Sequence, residues 1–158
     1  SSEELADRML PFLERDLAGE LLPVDRLYLL QIVPLIQERL KLLTDAAGMT
    51  SYFFEAFPGY DPQLLVQRGS DQPAALAGLK ICLAELENAP SFDHSVLEAL
   101  LRERAEGLSL SLRQLFGSLR VAATGRTATP PLFETMEVLG RERVLSRLKA
   151  AVERLSPV

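Results

Sequence analysis

Apolar residues recur three and four positions apart along the chain, with Leu and Ala dominant and Val, Ile and Thr seldom clustered. That spacing keeps one face of a helix apolar and predicts an all-α fold. Ser2 is placed to cap a first helix carrying Leu5, Met9, Phe12 and Leu13, with Glu3 and Glu4 near its positive end. Pro11 is expected to kink that helix or end it early. A second helix is expected from Pro23, which suits a first-turn position, to about Leu43. Its stripe reads Leu27, Leu30, Val33, Ile36, Leu40 and Leu43, with a bend at Pro34. Thr44-Asp45 reads as the cap of a third helix ending near Phe57.

The turn Pro58-Gly59-Tyr60-Asp61-Pro62, followed by Arg68-Gly69-Ser70-Asp71, marks a boundary between two small helical subdomains, 1–66 and 67–158. Beyond it, Ser70 or Asp71 caps a helix through Leu86, and Ser91 or Asp93 caps another through Glu106, closed by Gly107. Helices over 110–123, 130–139 and 141–155 complete the chain, with Gly125 and Gly140 as stops.

Composition fits a packed globular chain: 158 residues, 47% hydrophobic and 25% charged. The longest apolar stretch, 27–36, is interrupted by Gln31 and Pro34 and is far shorter than the roughly 20 residues of a membrane span, so no membrane partner is expected. Ser1-Ser2-Glu3-Glu4 lacks an initiating Met and a basic, apolar leader, so part of a longer protein is expected. Cys82 is the single cysteine, which fits a reducing cytoplasm. The net charge of −5 is uneven: residues 1–99 hold seven Lys and Arg against sixteen Asp and Glu, residues 100–158 ten against six. The C-terminal part is therefore the part suited to meet phosphate.

Catalytic chemistry finds few groups to use. His94 stands beside Asp93 at a helix start and reads as a solvated capping residue, and Cys82 lies between Ile81 and Leu83 as a small hydrophobe. The pairs Glu85 with Glu87 and Glu134 with Glu137 would need a closed pocket to become an acid and base. Glycine-rich phosphate loops are missing, since Gly117 and Gly125 are isolated. No catalytic residue, metal ligand or cofactor is assigned, and an independent enzyme is not expected.

The stretch Leu115-Phe116-Gly117-Ser118-Leu119-Arg120-Val121-Ala122-Ala123-Thr124-Gly125, continuing through Thr129-Pro130-Pro131-Leu132-Phe133-Glu134 and Leu139-Gly140-Arg141-Glu142, resembles the C-terminal end of bacterial glutamyl-tRNA synthetases. Ala123 stands where that family usually has Leu, and Arg141 where it has Lys. A softer similarity covers Val33-Pro34-Leu35-Ile36-Gln37-Glu38-Arg39-Leu40 and Tyr52-Phe53-Phe54, so that the likeness spans about 5–155. The family's two ATP-binding signatures, similar to His-Ile-Gly-His and Lys-Met-Ser-Lys-Ser, do not occur, and the resemblance implies that ATP and Mg are used by a catalytic domain outside this sequence.

The resemblance implies a monomeric, all-helical region that grips the anticodon loop of tRNA-Glu. Arg113 and Arg120 lie seven apart on one helix face and, with Arg126 just beyond Gly125, are expected to hold loop phosphates. Thr129 is expected to cap the following helix. By resemblance, Thr129 and Pro130 read one anticodon base and Leu132 another, and Arg39 contacts the first anticodon base. A helical protein–protein interaction domain is the competing reading, motivated by the acidic N-terminal part. A carboxylate enzyme would require a deep pocket beside Glu134 and Glu137.

Overall fold

A computed structural model describes residues 1–157. Eight α-helices account for the architecture, no strand occurs among the described residues, and the fold is all-α. The chain divides into two compact units, Ser1–Phe57 and Pro58–Val158. The division falls at the start of the Pro58-Gly59 turn and so assigns residues 58–66 to the second unit rather than the first.

In the first unit, α1 (Ser2–Asp16), α2 (Arg26–Ile36) and α3 (Ala46–Phe54) enclose a core of Ala6, Met9, Leu13, Leu29, Ile32, Val33, Ile36 and Phe53. Ser1, not Ser2, caps α1: its hydroxyl accepts from the Glu4 amide while its amino group donates to the Glu4 carboxylate. The helix continues through Pro11 to Asp16. Asp7 and Pro11 both lie on the exposed face, so the carbonyl deprived of its partner faces the side open to water.

The second helix is shorter than expected. Asp25 caps it, its carboxylate accepting from the Leu27 amide at 2.9 Å, so Pro23 stays outside, and the ladder stops at Ile36, just after Pro34. The amides of Arg39 and Leu40 both fold back onto the Ile36 carbonyl. The buried stripe is Leu29, Ile32, Val33 and Ile36, whereas Leu27 is 72% exposed. Val33 and Ile36 of the expected stripe are buried, but it does not begin at Leu27, and the helix that would carry it to Leu43 ends at Ile36. The third helix starts at Ala46 after a 3-10 turn, and Asp45 makes no side-chain cap.

In the second unit, α4 (Gln72–Glu87), α6 (Leu112–Thr124) and α8 (Arg141–Leu155) pack on one another, while α5 (His94–Arg104) and α7 (Leu132–Leu139) pair alongside. Asp71 caps α4 by accepting from the Ala74 amide at 2.9 Å. The approach of α4 to its neighbours is close enough that a Cβ at Gly78 would lie 2.7 Å from a Leu110 methyl. Two polar side chains are tied to backbone: the buried Ser118 donates to the Leu65 carbonyl at 2.6 Å, and the half-buried Arg141 forks onto the carbonyls of Leu86 and Ala89. Cys82 is fully buried and its thiol is pushed up to about 12 by that burial, so it is an inert core side chain. No helix among the described residues is long and apolar enough to cross a membrane.

Candidate functional site

The site is built on α6. Ser111 and Gln114 form a reciprocal capping box that fixes the start of the helix, and the Gln114 amide reaches the Arg68 carbonyl at 3.1 Å. Leu115, Ser118, Leu119, Ala122 and Ala123 turn into the core. Their opposite phase leaves Arg113, Phe116 and Arg120, spaced three and four apart, along one outward face.

The helix ends at Gly125 for two physical reasons. Its φ of +73° is left-handed, and a Cβ there would meet the Pro58 side chain at 2.9 Å. Arg147 of α8, 1% exposed, reaches the same end and donates to the Ala123 carbonyl at 2.7 Å. Thr124 then folds the chain over, donating to the Arg120 carbonyl at 2.7 Å and accepting from the Arg126 amide at 3.0 Å.

Beyond this turn, the Thr129 hydroxyl accepts from Arg120 Nε at 2.8 Å and donates to the Pro130 carbonyl at 2.7 Å. Thr129 is therefore not the helix cap. The following helix starts later, at Leu132, with Pro131 in the cap position and no side-chain cap. The expected capped start fails because the hydroxyl is engaged by Arg120.

The outward face of α6 meets the last turns of α5 and the start of α7 around a shallow groove of about 250 Å3. Arg113, Phe116 and Arg120 of α6, Glu98 and Arg102 of α5, and residues 131–134 line it. Phe133 stands perpendicular to Phe116 with ring centres 5.0 Å apart, and the Arg102 guanidinium lies 5.5 Å over the Phe116 ring. Arg102 is held by Glu98, Nε to carboxylate at 2.7 Å. Arg113 is exposed and makes no ion pair with any described residue, including Glu103 and Glu106. A guanidinium without a protein carboxylate, beside two others in a concave surface, suits an anionic ligand.

The structure thus brings Arg113, Arg120 and Leu132 into one groove, with Thr129 joined to it through Arg120. Leu132 is both packed, at 5% exposure, and part of the lining. Pro130 is buried behind it, and Arg126 lies in the turn outside the lining. Arg39 belongs to the first unit, in the turn that follows α2 rather than on a helix. Sequence reading missed Phe116 and Arg102. Phe116 was signalled by its spacing from Arg113 and Arg120, but Arg102 arrives from another helix and had no local signal.

Glu137 accepts from the His94 amide at 2.9 Å and lies 3.3 Å from the His94 ring. The backbone hydrogen bond from His94 is the main cause holding its carboxyl below the ordinary value, the reverse of what a general acid needs. His94, a solvated residue at the start of α5, thus also joins α5 to α7. Charge is also balanced differently from the simple halves of the sequence: the first unit has five Lys and Arg against ten Asp and Glu, and the second has twelve of each.

A helical scaffold with arginines lining a groove is, in its chemistry, a binding module suited to an anionic ligand. The chain belongs to the anticodon binding domain family, whose sequence profile matches residues 4–152. It is 44% identical over 158 residues to a glutamate–tRNA ligase of Roseiflexus castenholzii, covering 99% of this chain and 31% of that protein. A glutamate–tRNA ligase of Dehalococcoides mccartyi is 43% identical over 159 residues, with 99% and 32% covered. The chain therefore spans about a third of the length of these relatives. In fold it is similar to the crystal structure of a glutamate tRNA ligase from Elizabethkingia meningosepticum, with a TM-score of 0.75 at 23% identity, over 98% of this chain and 30% of that one.

Proposed function

We propose that this chain grips the anticodon loop of tRNA-Glu and supplies specificity, without chemistry of its own, to a monomeric cytoplasmic glutamate–tRNA ligase. Joining glutamate to tRNA with ATP and Mg is the work of a catalytic domain outside these residues. The observation that carries the reading is the groove that Arg113, Arg120 and Leu132 line together.

Anticodon bases are single-stranded, so they unstack and offer their edges to hydrogen bonds and their faces to side chains. Arg113, Arg120 and Arg126 hold loop phosphates in this reading. Thr129 and Pro130 shape the contact to one base and Leu132 to another, while Arg39 reads the first base through its planar fork. The family assignment favours this over a protein–protein interaction module.

A fluorescence titration of the chain with tRNA-Glu at low salt, beside a tRNA whose anticodon has been swapped, tests it. Tighter binding of tRNA-Glu, weakened by Arg120→Ala and by added salt, is the expected result. Equal and negligible binding of both would sink the proposal.

A further inference from the structure

We propose that Arg102, laid over Phe116, is a stacking platform for one nucleobase of the bound single-stranded loop. The inference rests on the RNA-binding reading and adds to it a contact from α5. Three observations carry it.

The guanidinium is held from two sides. Glu98, one turn earlier on α5, takes its Nε at 2.7 Å, while the Phe116 ring lies under its carbon at 5.5 Å. A cation over an aromatic face is attracted by the ring quadrupole, which holds the group beside the ring. The platform is also open. The Arg102 side chain is 51% exposed and lines the groove, so a ligand there can reach the guanidinium. Its Nη groups, finally, make no hydrogen bond with the described residues, because Glu98 engages Nε alone.

These features suit a flat, electron-rich and acceptor-bearing ligand. A nucleobase matches both demands, stacking on the guanidinium plane while an acceptor of the same nucleotide takes an Nη proton. Phe116 alone would be a smaller and recessed surface. Phe133, perpendicular to it at 5.0 Å, blocks lateral sliding of the ring and keeps the two-layer stack in place.

The experiment uses the whole chain and a tRNA-Glu anticodon stem-loop carrying 2-aminopurine, in turn, at each loop position. In the parent, one position is expected to show a fluorescence change on binding. Arg102→Lys keeps the charge and removes the plane. It should abolish that change and weaken binding roughly tenfold, a value within the range for loss of one stacked base, while the salt dependence of binding stays as in the parent. Phe116→Leu should reduce the same signal by loosening Arg102, and thermal melting followed by circular dichroism confirms that each variant is folded. Parent-like fluorescence and affinity in folded Arg102→Lys, alongside weakened binding by Arg120→Ala, overturns the platform and leaves the RNA-binding reading intact. Failure of the parent to bind the stem-loop at all overturns both.

Discussion

Arg120, in the last turns of α6, and Thr129, beyond the turn that follows it, are joined by a 2.8 Å hydrogen bond from Nε to Oγ1. The hydroxyl passes its own proton toward the Pro130 carbonyl at 2.7 Å, so one threonine sets both the direction of the arginine and the path of the chain into α7. Replacing Thr129 by Val removes the acceptor while keeping the shape. Arg120 then loses its orientation, and affinity for tRNA-Glu should fall by about 1.5–3 kcal/mol, the range for a hydrogen bond to a charged group. Thr129→Ser should restore most of it. Titrations of the two variants side by side check the prediction, and equal affinities would show that Thr129 serves the backbone alone.

Gly125→Ala places a methyl group 2.9 Å from the Pro58 side chain at a φ of +73°. The left-handed backbone alone should cost about 1–3 kcal/mol, with the contact adding to it. Urea unfolding should show a lower midpoint. Gly107→Ala is a useful comparison, because its φ of +87° imposes similar backbone strain with no atom within 4 Å. The excess loss at Gly125 measures the close packing of Pro58 against the turn.

Acid should loosen the clasp between His94 and Glu137. The Glu137 carboxyl is held below its ordinary 4.5, chiefly by the backbone amide of His94. A depressed folded value means that the unfolded chain binds the proton more readily. The stabilisation is therefore complete above the unfolded value and is lost as pH falls through the folded one. Melting temperatures recorded from neutral pH downward should drop less steeply below 4.5 in Glu137→Gln than in the parent. Identical slopes would contradict the assignment.

The phase of α2 is open to a simple comparison. Leu27 is 72% exposed and Ile32 is fully buried. Leu27→Ser should leave stability within about 0.5 kcal/mol, as surface changes do, whereas Ile32→Ala should cost about 2–5 kcal/mol. Denaturant unfolding of both variants distinguishes this arrangement from a stripe that begins at Leu27.

Legibility in the sequence followed the range of the forces involved. The all-α class, the Gly125 stop, the bounds of α8 and the shared face of Arg113 and Arg120 depend on spacing within a single helix, and residue patterns report such spacing directly. The extent of α2 did not follow, because its apolar residues occupy several phases and Asp25 competes with Pro23 to begin it. Thr129 misled for a related reason. A threonine near a helix start usually caps it, but here an arginine nine positions earlier claims the hydroxyl first. Arg102 reaches Phe116 only once α5 and α6 have packed, and no local pattern announces a contact between helices.

The even count of twelve cationic and twelve acidic side chains in the second unit bears on how fast an RNA is captured. Beyond a Debye length of about 8 Å at physiological salt, such a body exerts little pull on a polyanion, so encounters are not steered from a distance. The three groove arginines act only after contact. Under the proposed function, discrimination would then be exercised through residence time, with most RNAs leaving quickly and the loop whose bases settle into the groove dissociating slowly.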